Sequence, residues 1–547
     1  MKIAIAQLNY HIGNFAQNTS KIIDCITKSK QEGTDLVVFS ELSITGYYPH
    51  DLLERKEFIE QSYQALQQIT NHCTNIAVLV GGPSINPEPQ GKKLFNSAFF
   101  ISDGAIQHVV NKSLLPTYDI FDEYRHFEPN RNFSVIDFKG KKLAITICED
   151  LWDEQETQKE FGREKLYQIS PLQELAALNP DLVINLSASP FSYNQEDCRK
   201  NVLIKNAIKY QLPILYVNQV GAQTELIFDG GSSFLNKNGE IQEELSYFEE
   251  DFRIIDTDVS TQNLQPKTEY IEKIYRALVL GIRDYFGKMG FKKATLGLSG
   301  GIDSALVLTL AVDALGKENV RVLLMPSRYS SDHSVADAVQ LAKNLDIQYE
   351  TIPIQPMVDS FEQSLATTFS GLKSGITEEN IQARTRGILL MAISNKFGNI
   401  LLNTTNKSEC AVGYGTLYGD MNGGLSVLGD VYKTDVFKMS RWINRNHEII
   451  PENTILKPPS AELRPDQKDS DSLPDYDILD RILFDYIELN LSPAEIIARG
   501  FDEATVTRTV KMVNNNEYKR FQAPPILRVS SKAFGFGRRM PLVARYS

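Results

Sequence analysis

Ala294-Thr-Leu-Gly-Leu-Ser-Gly-Gly-Ile-Asp-Ser304 ends a short apolar run in two glycines flanked by serines, then passes at once into the helix-forming Ala305-Leu-Val-Leu-Thr-Leu-Ala311. Strand, loop and helix in that order make a phosphate cradle. Gly300 and Gly301 let the backbone approach an anion, and the first N–H groups of the helix face it unpaired. Ser299 and Ser304 can donate to phosphate oxygens, and Asp303 can hold an accompanying magnesium ion. The spacing is not that of the common G-x-x-x-x-G-K-[ST] nucleotide loop. Outward from this loop, apolar periodicity predicts helix 269–287, strand 294–298, helix 303–315, strand 320–325, helix 333–345, strand 349–354, helix 378–396 and strand 399–404. Such alternation reads as a doubly wound parallel α/β sheet, with ligands beyond the strand C-termini. After residue 430 the pattern is mainly helical, and Ser492-Pro-Ala-Glu495 is a capping box.

The first 260 residues follow another rhythm. Short β runs (36–40, 76–81, 98–101, 142–148, 182–187, 214–217) are separated in places by helical patterns at 58–72 and 196–210, and elsewhere by turns such as Asp103-Gly104 and Lys139-Gly140. This predicts a mixed, layered α/β domain. Around Asp258–Lys267 the pattern lapses into a polar connector, so the expected domains are 1–260 and 261–547. At 547 residues the chain exceeds one core. A net charge of −12 argues against nucleic acid or an anionic membrane as partner. No apolar run approaches a bilayer span. The start runs straight into the strand-like Ile3-Ala-Ile-Ala-Gln-Leu8, and the five cysteines show no C-x-x-C pair, so a reducing cytoplasm is expected.

Three β runs of the first domain lead into a residue of catalytic type: Leu36-Val-Val-Phe-Ser-Glu41, His108-Val-Val-Asn-Lys112 and Leu143-Ala-Ile-Thr-Ile-Cys148. Singly, such a cysteine is usually a small buried hydrophobe and such a Glu or Lys a surface charge. Their contexts add weight: Glu41-Leu-Ser-Ile-Thr-Gly-Tyr-Tyr-Pro, Lys112-Ser-Leu-Leu-Pro-Thr-Tyr and Cys148-Glu-Asp-Leu-Trp. Together they resemble the nitrilase superfamily, in its glutamine amidotransferase branch. The resemblance implies an α-β-β-α sandwich and covalent amide hydrolysis, with Cys148 as nucleophile, Glu41 as general base, and Lys112 with the Glu149 N–H on the oxyanion. It further implies Glu123 as accessory carboxylate and Tyr47, Tyr118, Glu149, Ser189 and Arg199 around glutamine. Arg199 equally reads as a surface helix residue.

The loop at 299–304 resembles the PP-loop of ATP pyrophosphatases. Downstream stand Asn380-Ile-Gln-Ala-Arg384-Thr-Arg386, Thr404-Thr-Asn-Lys-Ser-Glu409, Tyr418-Gly-Asp420, Lys433 and Ser460. Each alone reads as surface charge or loop chemistry. As an ordered set, with Lys519-Arg-Phe-Gln-Ala-Pro-Pro and Ala533-Phe-Gly-Phe-Gly-Arg-Arg-Met-Pro541, they resemble the NAD synthetase family in its glutamine-dependent form. That resemblance implies ATP as co-substrate, Mg²⁺ held by Asp303 and Glu409, and nicotinic acid adenine dinucleotide as the amidated acid. Ser299, Gly300, Gly301, Asp303, Ser304, Arg384, Thr405, Lys433 and Ser460 fall to ATP or pyrophosphate, and Asn380 and Asp420 to the dinucleotide. It also implies an ammonia tunnel and a homodimer or larger homo-oligomer. Another carboxylate or a nucleotide base as acceptor, or a non-catalytic relative, remain alternatives at this point. The basic tail (Arg528, Lys532, Arg538, Arg539, Arg545) reads equally as a reach toward anionic substrate and as solvated charge.

Overall fold

The computed structural model describes residues 1–153, 166–465 and 467–544. The chain divides into two compact units, Met1–Lys267 and Thr268–Ser547.

Among the described residues, the first unit holds two six-stranded sheets. One runs β14-β1-β2-β3-β4-β5, from β1 (Lys2–Gln7), β2 (Leu36–Val38), β3 (Ala77–Ile85), β4 (Leu94–Ser102), β5 (Ala105–Asn111) and β14 (Asp251–Asp256). The other runs β13-β12-β9-β8-β7-β6, from β6 (Ile136–Phe138), β7 (Lys141–Ile147), β8 (Leu182–Ser187), β9 (Ile214–Asn218), β12 (Ser233–Leu235) and β13 (Ile241–Glu244). A separate hairpin joins β10 (Val220–Gln223) to β11 (Leu226–Asp229). Parallel triplets β1-β2-β3 and β7-β8-β9 form the sheet centres, with antiparallel strands outside. These central strands are apolar at nearly every position because both faces are covered. Ile3, Ile5, Leu36, Val38, Leu143, Ile145 and Ile184 share one core between the sheets. The intervening Ala4, Ala6, Val37 and Val78 face outward onto α1 (Phe15–Gln31) and α2 (Lys56–Asn71). Ala144, Val183 and Tyr216 meet α3 (Pro171–Ala176) and α4 (Gln195–Tyr210) on the far side. The layering is therefore the α-β-β-α sandwich. Asp103-Gly104 and Lys139-Gly140 close the β4–β5 and β6–β7 hairpins, all four at positive φ, as two-residue hairpin turns demand.

The second unit carries a parallel sheet, β17-β16-β15-β18-β19, from β15 (Ala294–Gly297), β16 (Val320–Leu324), β17 (Tyr349–Thr351), β18 (Ile400–Asn403) and β19 (Leu425–Ser426). Around it pack α5 (Tyr270–Met289), α6 (Ile302–Leu315), α7 (Asp332–Asn344), α8 (Gln355–Leu365) and α9 (Ile376–Phe397). The chain adds strands on one side of β15, then returns to add β18 and β19 on the other. This places the topological switch at the β15–β18 junction. β17 is shorter than the expected 349–354, and α8 follows it unannounced. Pro356 occupies the first turn of α8, where its missing N–H leaves nothing unpaired.

Beyond the sheet come α10 (Lys407–Val412), α11 (Lys433–Ile443), α12 (Glu452–Leu456), α13 (Tyr476–Ile487), α14 (Pro493–Ala498), α15 (Glu503–Asn515) and α16 (Glu517–Arg520). The Ser492/Glu495 capping box starts α14. Residues 526–532 then return to the sheet. Ile526 bridges Ser426, and the Asp430 carboxylate accepts N–H bonds from Val529 (2.8 Å) and Ser530 (2.7 Å). Lys407, fully buried, joins Asp430 (3.0 Å) and Glu488 (2.9 Å). In the basic tail Arg528 is buried and bonds the Ser531 carbonyl, while Arg538 pairs with Glu517 at 2.6 Å. Arg545 lies outside the described residues. No helix of the described residues is long and apolar enough to cross a membrane.

Candidate active sites in the two units

In the first unit, the ends of three strands converge. Glu41 lies in the turn after β2, which crosses the backbone of Gly81 so closely that a Cβ there would stand 2.5 Å from Leu42 N. Lys112 directly follows β5, and its N–H donates to the Asn96 carbonyl of β4 (2.8 Å). Cys148 directly follows β7 at φ 44°, on a sharp turn that lifts it out of the strand line. Asp150 fastens this turn to the lysine, accepting the N–H groups of Ser113 (3.0 Å), Leu114 (2.8 Å) and Ile147 (3.0 Å).

The Lys112 ammonium, fully buried, donates to Glu41 Oε1 at 2.7 Å and Glu123 Oε1 at 2.8 Å. Ala188 N–H donates to Glu41 Oε2 (3.0 Å), and Tyr47 O–H to Glu123 Oε1 (2.7 Å). Burial draws Lys112 toward neutrality, but Glu123 and Glu41 more than reverse it, so its pKa stands well above the ordinary value. Burial pushes the Cys148 thiol well up; Glu41 adds to this and Lys112 opposes it. The resting sulfur is thus a neutral thiol that needs a base. Burial likewise raises Glu123, against the pull of Lys112.

Around this centre Glu149 Oε1 accepts from Tyr118 O–H (2.8 Å) and Tyr167 O–H (2.7 Å). Ser189 is buried, its N–H donating to Asn218 Oδ1 at 2.9 Å. Arg199 is no surface residue: it is buried on α4 and bonds Asp229 through both nitrogens, at 2.9 and 2.8 Å. Sequence reading missed Tyr167, for which the sequence carries no local signal. It also missed Asn96, although an amide inside the apolar run Leu94-Phe-Asn-Ser-Ala-Phe-Phe100 is itself a signal.

In the second unit a cavity of about 560 Å³ opens beyond the C-termini of β15 and β18. Ser299, Gly301, Asp303 and Ser304 line it, with Thr405, Glu409, Asp420, Lys433 and Ser460. Gly300 stands at φ 81°, and a Cβ there would lie 2.1 Å from the Ser334 carbonyl oxygen, so only glycine fits. Ser299 Oγ accepts from Gly301 N–H (3.1 Å) and lies 3.1 Å from Ser304 Oγ, which folds the loop on itself. Asn380 and Arg384 are not among the lining residues. Asn380 Oδ1 accepts from Thr416 O–H (2.7 Å), and Arg384 Nε donates to the Leu417 carbonyl (3.2 Å). Arg386 does line the cavity, and burial lowers its pKa to about 10 against the pull of Asp420. Ser460 Oγ donates to the Gln467 carbonyl at 2.5 Å. Glu462, also missed, accepts from Ser331 O–H (2.7 Å) and Ser334 O–H (2.8 Å) at the start of α7.

The Lys433 ammonium sits 2.5 Å from Asp303 Oδ2 and 3.3 Å from Glu409 Oε1. Burial pushes Glu409 up to about 8, with Lys433 opposing and Asp303 adding. Two hard carboxylate donors thus already gather about one positive charge beside the phosphate loop. That donor set fits Mg²⁺.

A family model described as carbon-nitrogen hydrolase matches residues 2–158, and one described as NAD synthase matches residues 274–523. The chain is 47% identical to a glutamine-dependent NAD(+) synthetase of Synechocystis sp., over 100% of this chain and 99% of that protein. It is 41% identical to one from Thermotoga maritima, over 100% and 99%. Among solved structures, the glutamine-dependent NAD+ synthetase of Acinetobacter baumannii in complex with ADP superposes with a TM-score of 0.78 at 41% identity, covering 99% of this chain and 98% of that one. A glutamine-dependent NAD(+) synthetase from Cytophaga hutchinsonii shares the fold, with a TM-score of 0.84 at 20% identity over 100% and 98%.

Proposed function

The chain belongs to the glutamine-dependent NAD(+) synthetases, and from that premise we propose how its residues divide the reaction. It is an ATP-dependent carbon–nitrogen ligase that takes its amide nitrogen from glutamine. In the first unit Cys148 Sγ attacks the glutamine side-chain carbonyl while Glu41 accepts the thiol proton. Lys112 and the Glu149 N–H stabilise the oxyanion, and the proton held by Glu41 passes to the leaving ammonia. Water, deprotonated by Glu41, then cleaves the thioester and releases glutamate. Glu123 keeps Lys112 charged and placed; the observation that carries these roles is the Lys112 ammonium bridging Glu41 and Glu123 beside Cys148. Tyr47, Tyr118, Glu149, Ser189 and Arg199 shape the glutamine pocket, the last by holding Asp229 and α4 in place.

In the second unit the carboxylate of nicotinic acid adenine dinucleotide attacks the α-phosphate of ATP, pyrophosphate leaves, and ammonia displaces AMP from the adenylate to give NAD. The Ser299–Ser304 loop and Lys433 receive the leaving pyrophosphate; its several negative charges match the loop N–H groups and the ammonium. Thr405, Arg386 and Ser460 extend that surface, and Asp420 faces the dinucleotide with Asn380 behind it through Thr416. Arg384 supports the 413–424 loop from outside the cavity. Asp303 and Glu409 would hold Mg²⁺, which when bound supplies charge neutralisation for the phosphates. Solvent-facing apolar side chains in this unit (Ile376, Ile388, Phe521, Phe536) support a homo-oligomer, and free thiols with ATP chemistry support the cytoplasm.

The test is NAD formation from nicotinic acid adenine dinucleotide, ATP and Mg²⁺, with glutamine or ammonium in parallel. NAD from both, with AMP and pyrophosphate in equal amounts, is expected. Glutamine hydrolysis without NAD from either nitrogen source would overturn the acceptor.

A further inference from the structure

The two carboxylates of the glutaminase centre share more than Lys112. Asn96 Nδ2 stands 2.7 Å from Glu41 Oε1 and 3.4 Å from Glu123 Oε2, so one amide spans both. Its orientation is fixed by chemistry: reversed, the amide oxygen would face two acceptor-only groups. The main chain of the same residue accepts the Lys112 N–H. Asn96 therefore grips all three charged members of the centre from the middle of β4.

This placement has a cost. Asn96 is 1% exposed, and its Oδ1 is buried with no hydrogen-bond partner among the described residues. A buried unsatisfied oxygen destabilises a fold, and packing alone would favour an apolar side chain in a strand covered on both faces. The residue is explained by what its N–H groups do. Glu41 and Glu123 are two buried carboxylates with one ammonium between them. Among the described residues Tyr47, Tyr48, Cys148, Glu149 and Tyr167 also act on this centre, and none of these five brings a positive charge.

We propose that Asn96 is a positioning residue of the glutaminase centre, its amide bridging Glu41 and Glu123 so that Glu41 stays aligned and free to take the Cys148 proton. The proposal rests on the catalytic reading of Glu41 given above. Without the bridge the carboxylates repel, the pair takes up its first proton at higher pH, and the centre loses an aligned acceptor for the thiol proton.

The experiment compares Asn96→Ala and Asn96→Asp with the parent enzyme in glutamine hydrolysis across pH, with ammonium-driven NAD synthesis as the control for a folded chain. In both variants kcat for glutamine falls about tenfold or more, the size expected for losing hydrogen bonds to charged groups. KM stays within about threefold, since Asn96 does not touch substrate. The acid limb of the profile moves to higher pH, further in Asn96→Asp, which adds a third acid. The same displacement appears in the pH dependence of inactivation by iodoacetamide. An unmoved acid limb in a folded variant overturns the proposal, whether or not kcat drops, because lost packing alone would not shift it. If Asn96→Ala fails to fold, the near-isosteric Asn96→Asp decides. Glu41→Gln run alongside separates the two levels: glutaminase surviving in it would refute the role of Glu41, whereas normal Asn96 variants beside a dead Glu41→Gln refute only the bridge.

Discussion

Lys407→Met would remove a buried positive charge from between two carboxylates. Lys407, Asp430 and Glu488 are all fully buried, and the ammonium also donates to Ser530 Oγ (2.8 Å) and the Lys532 carbonyl (2.9 Å) while standing 4.6 Å from the Tyr432 ring centroid. Methionine fills similar space but takes away the buried ammonium that Asp430 and Glu488 share. Removing one partner of a buried ion pair costs about 3–5 kcal/mol. For a unit of this size roughly 2 °C of midpoint follows each kcal/mol, so a fall of about 6–10 °C is expected. Burial lowers the Lys407 pKa, but Asp430 and Glu488 raise it further, to a net value above 10.5. The pair's stabilisation is therefore complete below the unfolded value of 10.5 and lost only as pH rises through the higher folded value. The penalty of the mutation should accordingly be the same at pH 6 and pH 9. Differential scanning calorimetry at both pH values is the assay. Lys317→Met, which breaks an exposed pair with Asp346, serves as the control and should leave the midpoint where it was. A fall of less than about 2 °C for Lys407→Met, or one that vanishes at pH 9, would refute the charge argument.

Cys148→Ala should abolish glutamine-driven synthesis and spare ammonium-driven synthesis, because the nucleophile serves only the first unit; loss of both in a folded variant, measured by NAD formation, would contradict separate chemistries. Gly300→Ala forces a Cβ to within 2.1 Å of the Ser334 carbonyl at a φ of 81°. It should depress synthesis from either nitrogen source by about a hundredfold or more while glutamine hydrolysis persists, since a displacement near 1 Å in a reacting site costs that order. Asp303→Ala should abolish synthesis from both sources. It should also weaken Mn²⁺ binding followed by paramagnetic resonance in the presence of ATP; unchanged binding would remove Asp303 from the metal site.

The parallel sheet was legible because its inner strands β15, β16 and β18 are largely buried and its helices keep a helical period, which leaves little freedom in reading 294–315 or 378–404. The sandwich was legible for a related reason: the central strands carry apolar residues at odd and even positions alike, as Ile3-Ala-Ile-Ala shows. α8 escaped notice because helix 355–365 carries Pro356 in its first turn, which reads locally as a break although that position tolerates it. Glu123 sits on a short helical turn at 123–125, and Glu41, Lys112 and Cys148 stand just beyond strand ends, where sequence context betrays them. Asn96 and Tyr167 do not; they act through partners 55 and 18 positions away, and only the folded chain brings those pairs together. Arg199 and Arg384 illustrate the converse. Both have the right charge for an anion; Asp229 holds Arg199 through both terminal nitrogens, while Arg384 gives only its Nε to the Leu417 carbonyl, from outside the cavity lining.

The clamp of Asp430 and Lys407 on residues 526–532 also orders events in time. A nascent chain leaves the ribosome from its N-terminus, and units fold as they emerge. The first unit's internal contacts can all form once residue 267 is out. The second unit's cannot: α10, the turn before Lys433 and the edge strand β19 all wait for residues 526–532, about a hundred positions further along the chain. Each molecule thus passes through a stage in which the glutamine-splitting half is formed while the half that consumes its product is unfinished. A chain lacking residues 526–532 would stay at that stage, with β19 and Asp430 deprived of the segment that completes them.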